Sequence, residues 1–201
     1  MEVAEFLCLC CRLSVSLSKS RFFVIYFRCE TLADGIGEPL VAISGHIWYN
    51  TPKERKVFGM IKVLFVCHGN ICRSPMAEFV LKDMAKKAGV ADKFLIRSVA
   101  TSTEELGNPV YPPARRELNR HGINCDGHRA RQITQADLDG NDYVFYMDSN
   151  NARNLRRMFP GQNKWQPFLE RDVADPWYSG DFTQTWLDVT EGCQRILEEL
   201  A

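Results

Sequence analysis

The sequence carries no excess of charge of either sign: 25 Lys and Arg face 25 Asp and Glu, for a formal net charge of zero. A basic nucleic-acid footprint and a polybasic membrane surface are therefore not expected. A local anion site is still allowed, because one Arg and a helix end need no net charge. Long apolar runs are also missing, and nothing approaches the roughly 20 residues of a membrane-spanning helix. The apolar stretch between Phe6 and Leu17 is broken by Arg12 and preceded by Glu2 and Glu5. A secretory signal has a basic start and an unbroken apolar segment instead. The eight cysteines offer no pair of C-x-x-C motifs at zinc-ligand spacing. Repeats and low-complexity segments are absent as well. These absences leave a cytoplasmic chain with reduced thiols, and no nucleic-acid or membrane partner, as the expectation.

The apolar share of 45% and the charged share of 25% over 201 residues fit one compact domain with a tail left over. Residues 1–59 read differently from the rest. Cys8, Cys10 and Cys11 crowd together, residues 22–27 form an unbroken apolar block, and Gly35, Gly37, Pro39 and Gly45 follow without a sustained period. Met60 then stands directly before the first regular strand. Residues 1–59 thus read as an atypical N-terminal extension, disordered or a start-site artefact. Residues 60–201 read as the domain.

From Met60 onward the pattern alternates. Val63, Leu64, Phe65 and Val66 form a short apolar run suited to a buried parallel strand. Ser74-Pro75 opens a helix with Met76, Phe79, Val80 and Met84 on one face, and Gly89 ends it. Strands are expected at 94–100 and 143–147, and a fourth at 164–169, weakened by Pro167. Helices are expected from Pro112 to Leu118 and over 150–158. A last helix follows a capping box at 181–184 and carries Trp186, Val189, Cys193, Ile196 and Leu200 on one face. Alternating strands and helices imply right-handed βαβ units: an α/β three-layer sandwich around a parallel sheet.

The informative stretch is Cys67-His68-Gly69-Asn70-Ile71-Cys72-Arg73-Ser74, between the first strand and the first helix. Ligands of open α/β sheets bind at that crevice, where the helix start offers free N–H groups and partial positive charge. Gly69 permits a tight loop whose amides turn inward as an anion nest. Cys67 and Arg73 bracket five residues, which puts a thiol beneath the anion and a guanidinium beside it. The same positive field favours a thiolate at Cys67, and Ser74 can donate a hydroxyl hydrogen bond to it. A lone Cys after a strand is usually a small buried hydrophobe. The strand before, the helix after and the Gly between are the context that makes the motif meaningful.

From Cys67 to Glu78 the chain resembles the signature of the low-molecular-weight protein tyrosine phosphatases. The resemblance recurs at Thr101-Ser102, Gly107-Asn108-Pro109, residues 128–132, Met147-Asp148 and Asp175-Pro176-Trp177-Tyr178. Residues 104–111 look like the bacterial branch. The resemblance implies a central four-stranded parallel sheet in the flavodoxin-like order 2-1-3-4. It also implies hydrolysis of protein phosphotyrosine and small aryl phosphates through a cysteinyl-phosphate intermediate. In that scheme Cys67 is the nucleophile, and Arg73 and the amides of residues 68–72 hold the phosphate. Asp175 is the general acid and base, although Asp-Pro taken alone is an ordinary turn. Trp177 and Tyr178 line the substrate cleft, Asn70 organises the loop, and His128 and Asp148 form a supporting pair. No metal or organic cofactor is implied, because Arg73 and the amides supply the positive charge. Cys72 lies close enough in sequence to form a reversible disulfide with an oxidised Cys67.

The chain departs from the family at two points. His68 stands where many members carry Leu or Thr, and Glu104 replaces an aromatic cleft residue of animal members. An acidic rim of that kind disfavours acidic peptides. Three alternatives compete. A thioredoxin-linked arsenate reductase needs two further neighbouring cysteines, and Cys125 and Cys193 are isolated singles. A protein arginine phosphatase carries Thr at the position of Ile71. A non-catalytic anion-binding module has no use for the Cys67, Arg73 and Asp175 set.

Overall fold

The computed structural model describes the backbone of three N-terminal strands and the whole of residues 60–201. The strands β1 (Val3–Cys8), β2 (Cys11–Ser16) and β3 (Val24–Arg28) form an antiparallel sheet in that order. Cys8 faces Cys11 across the first hairpin, and Leu13 faces Phe27 across the second pairing. The rest of residues 1–59, and with it the expectation of a disordered or artefactual extension, lies outside the described residues.

The second unit is built on β4 (Ile61–Cys67), β5 (Phe94–Ala100), β6 (Tyr143–Tyr146) and β7 (Trp165–Pro167). Their order is β5-β4-β6-β7, which is 2-1-3-4 within this unit, and every pairing is parallel. A parallel strand needs cover on both faces. The alternation along β4 supplies it. Val63 and Phe65 point into one core with Met76, Val80 and Leu81 of α1 (Arg73–Lys87), Ala114 and Leu118 of α2 (Pro112–Arg120), and Val189, Cys193 and Ile196 of α6 (Phe182–Leu200). Leu64 and Val66 point into the other, with Leu138 of α3 (Gln135–Gly140) and Leu155 of α4 (Ser149–Met158). The remaining helix is the short α5 (Pro176–Ser179).

Three local expectations need correction. The fourth strand keeps only three residues and ends at Pro167, on the edge of the sheet where proline is tolerated, and Phe168 N still donates to Tyr146 O at 2.9 Å. Asp181 caps α6 by accepting from Gln184 N at 2.9 Å, but the Asp181 N–H goes to Ser179 Oγ at 3.1 Å and the Gln184 side chain donates forward to Asp188 at 2.9 Å, so the reciprocal box does not form. The reciprocal box is at Thr134 and Asp137, at the start of α3, which the apolar pattern does not announce. Burial alone would raise the Asp137 carboxyl, but hydrogen bonds from Arg131 and Thr134 hold it below the usual carboxylate range.

One close approach fixes how α6 lies on the sheet. Phe168 is fully buried and meets Phe65 edge-on at 5.5 Å. A Cβ on Gly192 would sit 2.3 Å from its ring. Alanine gains about 1 kcal/mol of helix propensity over glycine, but overpacking a filled core costs about 1–3 kcal/mol. Gly192→Ala should therefore lower stability by up to roughly 2 kcal/mol, read from the urea midpoint. In a Phe168→Leu background the same substitution should cost nothing.

Candidate active site

β4 ends at Cys67, and residues 68–72 turn through the carboxyl edge of the sheet into α1. Neighbouring segments hold this loop by its carbonyls. Thr101 N donates to Cys67 O at 2.9 Å, Ser102 N to His68 O at 3.0 Å, and Tyr111 N to Ile71 O at 2.8 Å. No side chain caps the start of α1, so its first N–H groups point at the loop as anion donors.

The left-handed turn of the loop falls on Asn70, with φ of 58°, and not on Gly69. Gly69 serves close approach instead, since a Cβ there would lie 3.1 Å from Glu105 Cγ. An L-residue pays about 1–2 kcal/mol for left-handed backbone, and Asn70 is tied down at every polar atom. Its Nδ2 donates to Ser74 Oγ at 2.9 Å and to Ser98 Oγ at 2.8 Å. Its Oδ1 accepts from Arg131 N at 3.3 Å, and its carbonyl faces His128 Nε2 at 2.8 Å. Its own N–H donates to Cys67 Sγ at 3.3 Å. The chain of bonds continues from Ser98 Oγ to the buried Glu78 carboxylate at 2.5 Å, and Lys82 holds the other Glu78 oxygen.

Cys67 Sγ lies 3.0 Å from Ser74 Oγ. Arg73 is almost fully buried and forks between two carboxylates. Nη1 donates to Asp148 Oδ2 at 2.5 Å and to Val173 O at 3.2 Å, and Nη2 donates to Asp175 Oδ2 at 2.5 Å. Burial would lower the guanidinium, but Cys67, Asp175 and Asp148 outweigh it and hold Arg73 above its ordinary value. Burial first, and then the neighbouring Cys67, push the Cys72 thiol up. Both Cys67 and Cys72 are free thiols.

Of the expected site residues, Cys67, His68, Gly69, Ile71, Cys72, Arg73, Glu104, Asp148, Asp175, Trp177 and Tyr178 line one cavity of about 230 Å³. Asn70, Ser74 and His128 sit behind it. His128 and Asp148 are not partners of each other: the first holds the Asn70 carbonyl and the second holds Arg73. Trp177 is half exposed with its ring 5.2 Å from that of Tyr111, and Tyr178 is exposed. The arrangement places a thiol at the floor, amide and guanidinium donors around it, a carboxylate across from it, and aromatic rings at the walls. Such a set can bind a phosphoryl group and transfer it to sulfur.

A family model described as low molecular weight phosphotyrosine protein phosphatase matches residues 62–201. The chain belongs to this family. The low molecular weight protein-tyrosine-phosphatase YfkJ of Bacillus subtilis is 39% identical over 150 residues, covering 70% of this chain and 96% of YfkJ. The crystal structure of YfkJ superposes with a TM-score of 0.67 over 71% of this chain and 96% of its own. SP-PTP, the low molecular weight protein tyrosine phosphatase of Streptococcus pyogenes, is 44% identical with a TM-score of 0.66, over 71% and 94%. DARP, a Drosophila arginine phosphatase, is 31% identical with a TM-score of 0.63, over 69% and 97%.

Sequence reasoning passed over several residues of this phosphatase. Ser98 and Glu78 complete the support of Asn70. Tyr111 packs against Trp177, and Glu105, Asn150 and Asn151 join the cavity lining. The i,i+4 spacing of Glu78 and Lys82 is a visible signal; the others act across long chain separations.

Two substitutions separate the conformational and the bonding roles of Asn70. Asn70→Gly and Asn70→Ala both remove the side-chain bonds, but only alanine keeps the left-handed penalty. Allowing for the extra chain entropy of glycine, the alanine variant should be less stable by about 1 kcal/mol in urea unfolding. Both should bind inorganic phosphate more weakly than the parent, as measured by calorimetry.

Proposed function

We propose that residues 60–201 hydrolyse phosphotyrosine in proteins, and small aryl phosphates, through a cysteinyl-phosphate intermediate in the cytoplasm. The observation that carries this is the position of Cys67 Sγ, beneath the start of α1, with Arg73 and Asp175 hydrogen-bonded beside it. Among the described residues no helix is long and apolar enough to cross a membrane.

In the first step the Cys67 thiolate attacks phosphorus and the bond to the phenolic oxygen breaks. Asp175 gives its proton to that oxygen, so the product leaves as a neutral phenol. Arg73 and the loop amides hold the three equatorial oxygens as their charge shifts in the transition state. In the second step water attacks phosphorus, its proton goes to the Asp175 carboxylate, and the P–S bond breaks to return the thiolate. Ser74 and the Asn70 N–H stabilise the sulfur anion in both steps. Trp177 and Tyr178 flank the tyrosyl ring.

Dephosphorylation of phosphoarginine is the second reading, favoured by the likeness to DARP. Against it, the branched apolar Ile71 lines the cavity. A disulfide-relay arsenate reductase is disfavoured by the described thiols outside the loop. Cys193 is fully buried with its thiol pushed up by burial, and burial likewise raises Cys125.

Phosphate release from an aryl phosphate and from phosphoarginine, and arsenate reduction, tested side by side with the full chain, separate these readings. Only the aryl phosphate should turn over well. Cys67→Ser should abolish that turnover and still bind an oxyanion. Asp175→Asn should lower it by roughly 10²–10⁴, with a smaller loss for leaving groups acidic enough to depart unprotonated. An equal loss across leaving groups would assign Asp175 to structure alone.

A further inference from the structure

Phosphate chemistry accounts for the floor of the cleft but not for its rim. His68 directly follows Cys67, and its Nε2 stands 2.9 Å from Glu104 Oε2 across 36 residues of chain. Both side chains are well exposed, at 49% and 71%. The turn that carries Glu104 is itself fixed, because Ser102 N donates to His68 O and Glu104 N donates to Ser102 Oγ at 3.3 Å. Glu105 lies next to it, its stem resting on Gly69 and its Oε2 accepting from Asn108 Nδ2 at 2.6 Å.

Two carboxylates are thus held at one edge of the cavity mouth. Among the described residues neither forms an ion pair with a Lys or Arg. The cation nearest the floor, Arg73, is already shared between Asp148 and Asp175. A chain that delivers a phosphorylated side chain to Cys67 enters a cavity whose lining includes this edge. Charges held in place by neighbours need little further ordering when a partner meets them.

We infer that Glu104, clamped by His68 and reinforced by Glu105, reads the residues flanking the phosphotyrosine and selects substrates that carry Lys or Arg there. This deepens the phosphotyrosine reading and rests on it. An exposed ion pair contributes up to about fivefold in binding, and salt screens it. Glu104 acts on the flanks of the substrate, so its selection belongs in KM more than in kcat. His68 is a positioning residue for it.

The test uses the full chain and two phosphotyrosine peptides alike except at the two flanking positions, Lys in one and Glu in the other. At low salt kcat/KM should favour the Lys peptide by about fivefold, carried by KM, and the preference should shrink in strong salt. Glu104→Gln should lower the ratio and Glu104→Lys should cancel or reverse it. Because each ratio is taken within one protein, a general loss of activity does not disturb it. A wild-type ratio near one, or a ratio that survives Glu104→Lys, overturns the proposal. Release of phosphate from neither peptide would instead overturn the phosphotyrosine reading.

Discussion

An arginine that is 2% exposed cannot stand unpaired in a protein interior, and most of this site follows from how Arg73 is paired. Its two carboxylate partners lie 75 and 102 residues away. Each divides its oxygens between two tasks. Asp148 caps α4 with Oδ1, accepting from Asn151 N at 2.7 Å, and takes Arg73 with Oδ2. Asp175 caps α5 with Oδ1, accepting from Trp177 N at 3.1 Å, and takes Arg73 with Oδ2. Helix capping therefore aims both carboxylates, and the ion pairs draw the loops after β6 and β7 onto the loop after β4. Val173 closes the arrangement, since its N–H binds the Met147 carbonyl at 2.8 Å while its own carbonyl accepts from Arg73.

The architecture was legible in the chain because it is written in local periodicity. The run from Val63 to Val66 is wholly buried, as an unbroken apolar strand requires. Residues Trp186, Val189, Cys193 and Ile196 share one face of α6 and pack into the same core. Local pattern fails where polarity or distance decides. Helix α3 places one side chain, Leu138, in the core, so it has no periodic signal. The Gln184 side chain can accept from the N-cap N–H behind it or donate to Asp188 ahead of it, and sequence does not say which it does. The loop motif announces an anion nest, but nothing local says that its strained position is Asn70. That depends on Ser98, His128 and Arg131, which come from other loops and strands. His68 and Glu104 are each visible as departures from the family pattern, whereas their contact is not.

The site's charges also explain which contact must yield to substrate under the proposed chemistry. The floor offers one guanidinium and the partial charge of a helix end, and Asp148 and Asp175 already draw on the guanidinium. A phosphate monoester adds further negative charge at the same spot, so one carboxylate has to give way. Asp148 is the more deeply placed, its side chain 14% exposed against 25% for Asp175. It also caps a helix of ten residues that packs Leu155 into the core. Asp175 caps a helix of only four residues, which ends at a left-handed Gly180 and carries two exposed aromatic rings. Moving Asp175 off Arg73 disturbs little packing, whereas moving Asp148 would undo a helix start. The carboxylate that yields is then the one facing the leaving oxygen. Under the proposed chemistry, displacement by the phosphate frees Asp175 from Arg73, and the carboxylate then has to take a proton from solvent before it can donate one to the leaving oxygen.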